Sequence, residues 1–236
     1  MRYQGGKSKI AADISSIINC YTMNVPFVSL FCGSCAVESK IKGYQYMICN
    51  DKHKYLIAML RGLLAGYDLP DSVTEEQYKY IRTHKDDDPV LAGFVGFGCS
   101  FGGKWFGGYA KSSDRTNYTV QSKKSLLKDM ASLQSAWFTN LDYRFVPIPQ
   151  NAVVYAVPPY QNTTNYQNEK FNTVEFWNYV RLIAQTRHIV FVSEQAAPDD
   201  FVSIWEKPFT RTIDRNKCNQ IKTTEKLFTY GGAIYG

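Results

Sequence analysis

The chain has 236 residues, of which 44% are hydrophobic and 20% charged, and its formal net charge is +6. That is enough apolar material to bury a substantial core as one large or two modest domains, and it excludes a disordered chain. No apolar run approaches the length needed to span a bilayer, and Met1-Arg2-Tyr3-Gln4-Gly5-Gly6 leads into no secretory segment, so the expected location is the cytoplasm.

Near the start, Gly5-Gly6-Lys7-Ser8 lacks the upstream glycine and strand of a phosphate-cradling loop. Phe27 to Phe31 reads as a short buried strand that ends at Cys32-Gly33-Ser34, and Tyr46 to Cys49 reads as a second that ends at Asn50-Asp51. A brief helical turn over Ala36 to Lys40 lies between them. Tyr55, Met59 and Leu63 repeat every four residues as the apolar side of a helix from about Lys52 to Leu64. This βαβα order predicts a mostly parallel sheet covered on both faces. A glycine at the end of the first strand and an acid at the end of the second suit an adenosine moiety: Gly33 lets a ligand approach the backbone, and Asp51 can accept from ribose hydroxyls. With no complete G-x-G-x-x-G, a nucleoside ligand without pyrophosphate is favoured, and S-adenosylmethionine fits that description.

From Pro70 to Pro89 the sequence is polar, and Gly93 to Gly108 then holds seven glycines among Phe, Trp and Cys. Glycines this dense predict tight turns or a hairpin rather than a regular helix or strand. Leu126, Met130, Leu133 and Trp137 predict the inner stripe of a following helix. Residues 101 to 130 carry Lys104, Lys111, Arg115, Lys123, Lys124 and Lys128 against Asp114 and Asp129, interleaved with Trp105, Phe106, Tyr109 and Tyr118. Cations beside stacking aromatics suit nucleic acid. An inserted, basic, substrate-contacting subdomain is therefore expected over residues 67–140, between the two parts of a main domain, 1–66 and 141–236. A second basic cluster, Lys207, Arg211, Arg215, Lys217, Lys222 and Lys226, would fit the same polyanion if the fold brings it near.

Ala152 to Ala156 predicts a buried strand stopped by Pro158-Pro159, which presents Tyr160 beyond its carboxyl end. A helix through Phe176, Tyr179, Val180 and Ile183 precedes a strand from His188 to Val192. Val202 to Glu206 and Phe209 to Ile213, parted by Lys207-Pro208, are expected to form a closing hairpin. The six cysteines (Cys20, Cys32, Cys35, Cys49, Cys99 and Cys218) are too sparse for a disulfide scaffold and read as free thiols. Cys32 and Cys35 have metal-like spacing, but no second pair completes a set, and His53, His84 and His188 share no ligand spacing. No metal is expected.

Several of these pieces resemble, in the correct order, the Dam-type (D12 class) DNA adenine-N6 methyltransferases. Arg2-Tyr3-Gln4-Gly5-Gly6-Lys7 resembles the amino-terminal cofactor motif, Phe31-Cys32-Gly33-Ser34 the glycine-containing first-strand motif, and Asn50-Asp51 the ribose-binding turn. Val157-Pro158-Pro159-Tyr160 resembles the catalytic Asp-Pro-Pro-Tyr with its first residue changed. Phe191-Val192-Ser193-Glu194 with Pro198 and Trp205-Glu206-Lys207 resembles the strand and loop that finish the catalytic domain. The resemblance implies a Rossmann-like methyltransferase sheet with an inserted target-recognition subdomain, S-adenosylmethionine held by Tyr3, Lys7, Phe31, Gly33 and Asp51, and double-stranded DNA as partner. Lys104, Lys111, Arg115, Lys123 and Lys124 are the expected DNA contacts. A homo-oligomer is compatible with it.

The same resemblance implies that an aspartate side chain and the carbonyl of Pro158 hold the amine of a flipped adenine while Tyr160 stacks on its ring. Val157 offers no acceptor. Leaving one amine hydrogen unpaired costs roughly 1.5–3 kcal/mol, a loss of about tenfold to a hundredfold as a lower bound. Two readings stay open: an adenine methyltransferase impaired at residue 157, and a catalytically silent DNA-binding or partner-binding homologue.

Overall fold

A computed structural model of the protein describes residues 1–112, 116–159, 171–212 and 220–231. Within them one seven-stranded sheet is built from β1 (Phe27–Ser29), β2 (Met47–Asn50), β3 (Ala136–Thr139), β4 (Val153–Ala156), β5 (Ile189–Glu194), β6 (Phe201–Thr212) and β7 (Gln220–Tyr230). The spatial order is β3-β2-β1-β4-β5-β7-β6. The first five pair in parallel, while β7 runs antiparallel between β5 and β6. This is the strand order of the class I Rossmann-like S-adenosylmethionine-dependent methyltransferases.

Strand alternation divides the core in two. Phe27, Met47, Cys49, Val153, Tyr155, Phe191 and Leu227 face a cluster completed by helices α1 (Ala11–Ile18), α2 (Lys54–Leu64), α4 (Pro89–Gly98) and α5 (Tyr118–Met130). Val28, Ile48, Val154, Val190, Val192 and Phe228 face the other, covered by α6 (Thr173–Ala184) through Phe176, Trp177, Val180 and Ile183. Burial on both faces explains why β1, β2 and β4 read as unbroken apolar runs rather than alternating ones. Helix α3 (Glu75–Thr83) packs on α4 and carries a capping box between Thr74 and Gln77.

Three sequence expectations are corrected. First, the glycine-rich stretch begins as the regular helix α4, whose start is set by Pro89 and by Asp88, which accepts from the Leu91 backbone N–H at 2.9 Å. Its glycines serve close packing: a Cβ at Gly93 would stand 2.2 Å from the Tyr55 carbonyl oxygen of α2, and one at Gly96 would stand 2.1 Å from the Trp105 ring. The turns expected for the whole stretch are confined to its second half, around the Ser100–Tyr109 bridge.

Second, Trp137 is not on a helix. Asn117 caps α5 by accepting from Thr119 and Val120, Leu126 and Met130 are among its buried residues, and the helix ends before Leu133. Trp137 belongs to β3, where it points outward and is 65% exposed. Third, residues 202–206 and 209–212 form one strand, β6, which runs through Lys207-Pro208 and pairs with β7. A proline is tolerated because β6 is the edge of the sheet. Ile213 lies outside the described residues.

Candidate functional site

The carboxyl ends of β1, β2 and β4 open onto a cavity of about 300 Å³, at the lower end of the range for small-molecule sites. Tyr3, Lys7, Phe31, Gly33 and Asp51, from three separate parts of the sequence, all line it. Val157, Pro158 and Pro159 line it as well, just beyond β4, with Val157 half-buried and Pro158 buried. Tyr160 lies outside the described residues.

Gly33 and Asp51 are joined directly. The Gly33 N–H donates to Asp51 Oδ2 at 3.0 Å, and the His53 N–H donates to Oδ1 at 2.9 Å. Gly33 has φ +50°, and a Cβ there would lie 3.0 Å from the Tyr3 ring, so a side chain would meet both backbone strain and the aromatic wall. Burial pushes the Asp51 carboxyl up to about 6, against the opposing pull of the two backbone N–H groups. Beneath them Asn50 ties three strand ends together. Its Nδ2 donates to the carbonyls of Leu30 and Leu141, both at 3.0 Å, and its Oδ1 accepts from Leu141 N and Thr139 Oγ1.

Each wall has its own support. Tyr3 packs on Phe97 with centroids 5.0 Å apart, and the Gln4 N–H donates to the Gly103 carbonyl, so the first residues are strapped to the turn after α4. Phe31 stacks among Tyr143, Phe171 and Phe176. At the mouth, Arg144 bonds Asp142 at 2.8 Å and Glu175 at 2.6 Å, and this guanidinium holds the Asp142 carboxyl below its ordinary range. Burial pushes the Glu38 carboxyl up to about 8, although Ser29 donates to it at 2.7 Å. Lys7 Nζ meets Glu225 Oε2 at 2.6 Å.

Sequence reasoning missed Asn50 as a brace, Glu38, Asp142 and Glu225. Asn50 sits at a recognised strand end and Glu38 in the expected helical turn, usable signals, whereas Asp142 follows β3, a strand the sequence did not reveal. Glu225 had none, because its partner is 218 residues away.

Of the expected DNA-contacting residues, Lys104, Lys111, Lys123 and Lys124 lie apart from the cavity lining. Lys104, Lys111 and Lys124 are exposed, but Lys111 is 3.5 Å from Glu75. Lys123 is half-buried and bridges Asp68 and Asp71 at 3.3 and 3.0 Å. Arg115 lies outside the described residues. In the second cluster Lys207 pairs with Asp13 and Lys226 with Glu206, while Arg215, Lys217 and the side chains of Arg211 and Lys222 lie outside what is described. Cys20, Cys32, Cys35, Cys49 and Cys99 are free thiols, and Cys218 is outside the described residues. No described helix is long and apolar enough to cross a membrane.

The D12 class N6 adenine-specific DNA methyltransferase family matches residues 3–90, the part that carries all five expected cofactor residues but not Val157. That match spans less than half of the 236-residue chain. No curated protein matches it. Among solved structures, it is similar to the rRNA methyltransferase AviRa of Streptomyces viridochromogenes, at 11% identity and TM-score 0.45 over 98% of this chain and 87% of that one. A conserved hypothetical protein of Streptococcus pyogenes gives 9% and 0.43 over 94% and 96%. The precorrin 8W decarboxylase of Methanobacterium thermoautotrophicum gives 9% and 0.38 over 92% and 89%. With scores this low, the fold assignment rests on the strand order itself.

Proposed function

We propose that the chain is a site-specific DNA adenine-N6 methyltransferase by descent, with a working S-adenosylmethionine site and a transfer step impaired at Val157. The observation that carries this reading is the Gly33–Asp51 hydrogen bond at the base of a cavity that also bears Val157-Pro158-Pro159 on its rim. The lining fits such a donor. A buried carboxylate suits ribose hydroxyls, the glycine leaves room for close approach, and Tyr3 and Phe31 supply apolar walls.

When bound, S-adenosylmethionine supplies a methyl group already activated for displacement. The protein's part is alignment: Gly33, Asp51, Tyr3 and Lys7 would hold the donor, and the Pro158 carbonyl would accept one hydrogen of the target amine. Tyr160 is assigned the stacking role. Residue 157 should accept the second hydrogen, and valine cannot. A catalytically silent binding module is the second reading, favoured by Val157 alone.

The test compares Val157→Asp with the parent chain for methyl incorporation into mixed-sequence duplex DNA, with DNA and donor binding measured for both. The aspartate form is expected to methylate adenine N6 at least about a hundredfold faster, with similar binding, because the missing acceptor acts at the reacting amine. Equal rates would refute the role given to residue 157. A silent aspartate form that still binds DNA would favour the binding module.

A further inference from the structure

Gly102 and Gly103 follow one another in the turn after α4, both in the left-handed region, at φ +63° and +68°. Their surroundings differ. A Cβ at Gly102 would meet nothing within 4 Å, whereas one at Gly103 would stand 2.6 Å from the Arg2 carbonyl carbon and oxygen and from the Tyr3 nitrogen. The backbone of the amino-terminal segment therefore lies directly on Gly103, whose carbonyl also accepts from the Gln4 N–H at 3.1 Å. Neither Gly103 nor Arg2 lines the cavity, but Tyr3, the next residue, does.

The turn has a firm seat on the helices behind it. Ser100 Oγ donates to the Gly96 carbonyl of α4 at 2.7 Å and lies 2.7 Å from the Tyr78 hydroxyl of α3, while the Phe101 and Phe106 N–H groups donate to the carbonyls of Gly108 and Gly96, both at 2.8 Å. On the cavity side, the Tyr3 ring packs on Phe97 with centroids 5.0 Å apart and stands 3.0 Å from where a Cβ at Gly33 would be. Gly33 in turn donates to Asp51. The atoms that meet Gly103 are backbone and cannot rotate aside, so a push there moves the Tyr3 main chain and its ring with it. Close-packed interiors transmit such strain rather than absorb it. The Arg2 guanidinium, 4.5 Å over the Tyr118 ring at the start of α5, holds the segment from a second side.

We propose that Gly103 is a positioning residue for the cavity: its backbone contact with Arg2 and Tyr3 sets how closely the Tyr3 ring stands to Gly33, and so the width of the cavity at the point where Gly33 meets Asp51. This rests on the reading of the cavity as an S-adenosylmethionine site. It makes donor affinity depend on a turn outside the cavity lining, through one named ring. Gly102 supplies the matched control, because alanine there carries the same left-handed backbone penalty without touching the amino-terminal segment.

The experiment is calorimetric titration of the full chain, without DNA, by S-adenosylhomocysteine. Gly103→Ala should weaken binding about tenfold, whereas Gly102→Ala should stay within about twofold of the parent. In a Tyr3→Ala background, adding Gly103→Ala should change the affinity by less than about twofold, because the ring through which it acts is gone. A purely structural role would weaken binding alike with and without Tyr3, and that result overturns the proposal, as does Gly103→Ala binding like Gly102→Ala. Should Tyr3→Ala leave too little affinity to measure, the comparison of the two glycines decides alone. If Gly103→Ala is too unstable to titrate, Arg2→Ala decides: Arg2 is exposed, and freeing the segment from Tyr118 should weaken binding about threefold, an unchanged affinity counting against the proposal. A parent chain that does not bind at millimolar concentration overturns the cavity reading and this inference with it, whereas a binding parent with the two glycine variants alike removes the inference alone.

Discussion

Asp51 is the residue where burial and the ligand role proposed for it make opposite demands. Its two carboxylate oxygens accept from the Gly33 and His53 N–H groups, but burial is the larger influence and raises its pKa to about 6. Because that is above the unfolded value, the contribution of Asp51 to stability falls as pH rises from the ordinary aspartate range through about 6. Ligand binding runs the other way, since a ribose hydroxyl is better bound by the ionised carboxylate. The affinity for S-adenosylhomocysteine should therefore rise about tenfold between pH 5 and pH 7, following the ionised fraction of a group with this pKa. Burial lowers His53 to about 4 and raises Glu38 to about 8, outside that window, but hydrogen bonds with Cys32 and Cys49 bring the Cys35 thiol down to about 6, inside it, so the Asp51 variant is what assigns the dependence. Asp51→Asn should bind more weakly and lose the pH dependence. Calorimetry at three pH values checks this, and a parent profile flat from pH 5 to 7 would remove Asp51 from the ligand.

At the scale of elements, the close approach of α2 and α4 depends on glycines that looked like turn residues in sequence. Gly93→Ala would place its Cβ 2.2 Å from the Tyr55 carbonyl, a backbone atom that cannot rotate away. Gly102, by contrast, has φ +63° and nothing within 4 Å of where a Cβ would stand, so alanine there meets only the left-handed backbone penalty. Gly93→Ala is expected to destabilise through overpacking at the upper end of about 1–3 kcal/mol, and Gly102→Ala by less, about 1–2 kcal/mol. Urea unfolding of both variants, with Gly93→Ala no more costly than Gly102→Ala, would contradict this account of α4. The helix was illegible in sequence because a glycine needed for helix contact has the same composition signal as a glycine needed for a turn. Strands β1, β2, β4 and β5 were legible because both of their faces are buried and each ends at a polar or proline break. Strand β3 was hidden by the chance spacing of Leu126, Met130, Leu133 and Trp137, and β7 by the lysines and threonines of a strand whose inner residues are Glu225, Leu227 and Thr229.

At the scale of the whole molecule, half of the cavity could be anticipated because Phe31, Gly33, Asp51 and Val157 fall just beyond strand ends, where the parallel topology gathers them, whereas Tyr3 and Lys7, ahead of α1, were expected only from the family resemblance. The basic surface could not be sorted in the same way, because a lysine reads alike whether it faces solvent or a carboxylate. Lys111 and Lys123 have acidic partners within the protein, whereas Lys104 and Lys124 stand exposed. If duplex DNA lies against this side, Lys104→Ala and Lys124→Ala should each weaken binding at every sequence and reduce the slope of log affinity against log salt by about 1, the signature of one lost phosphate contact. Lys123→Ala should leave that slope unchanged and instead loosen the link between α5 and the Asp68–Asp71 segment, which a lower thermal midpoint would show. A base-reading role would look different, relaxing sequence preference while leaving binding to other sequences intact. Fluorescence anisotropy on duplexes at four salt concentrations separates these outcomes, and binding that does not weaken with salt would exclude this basic surface as the DNA-binding face.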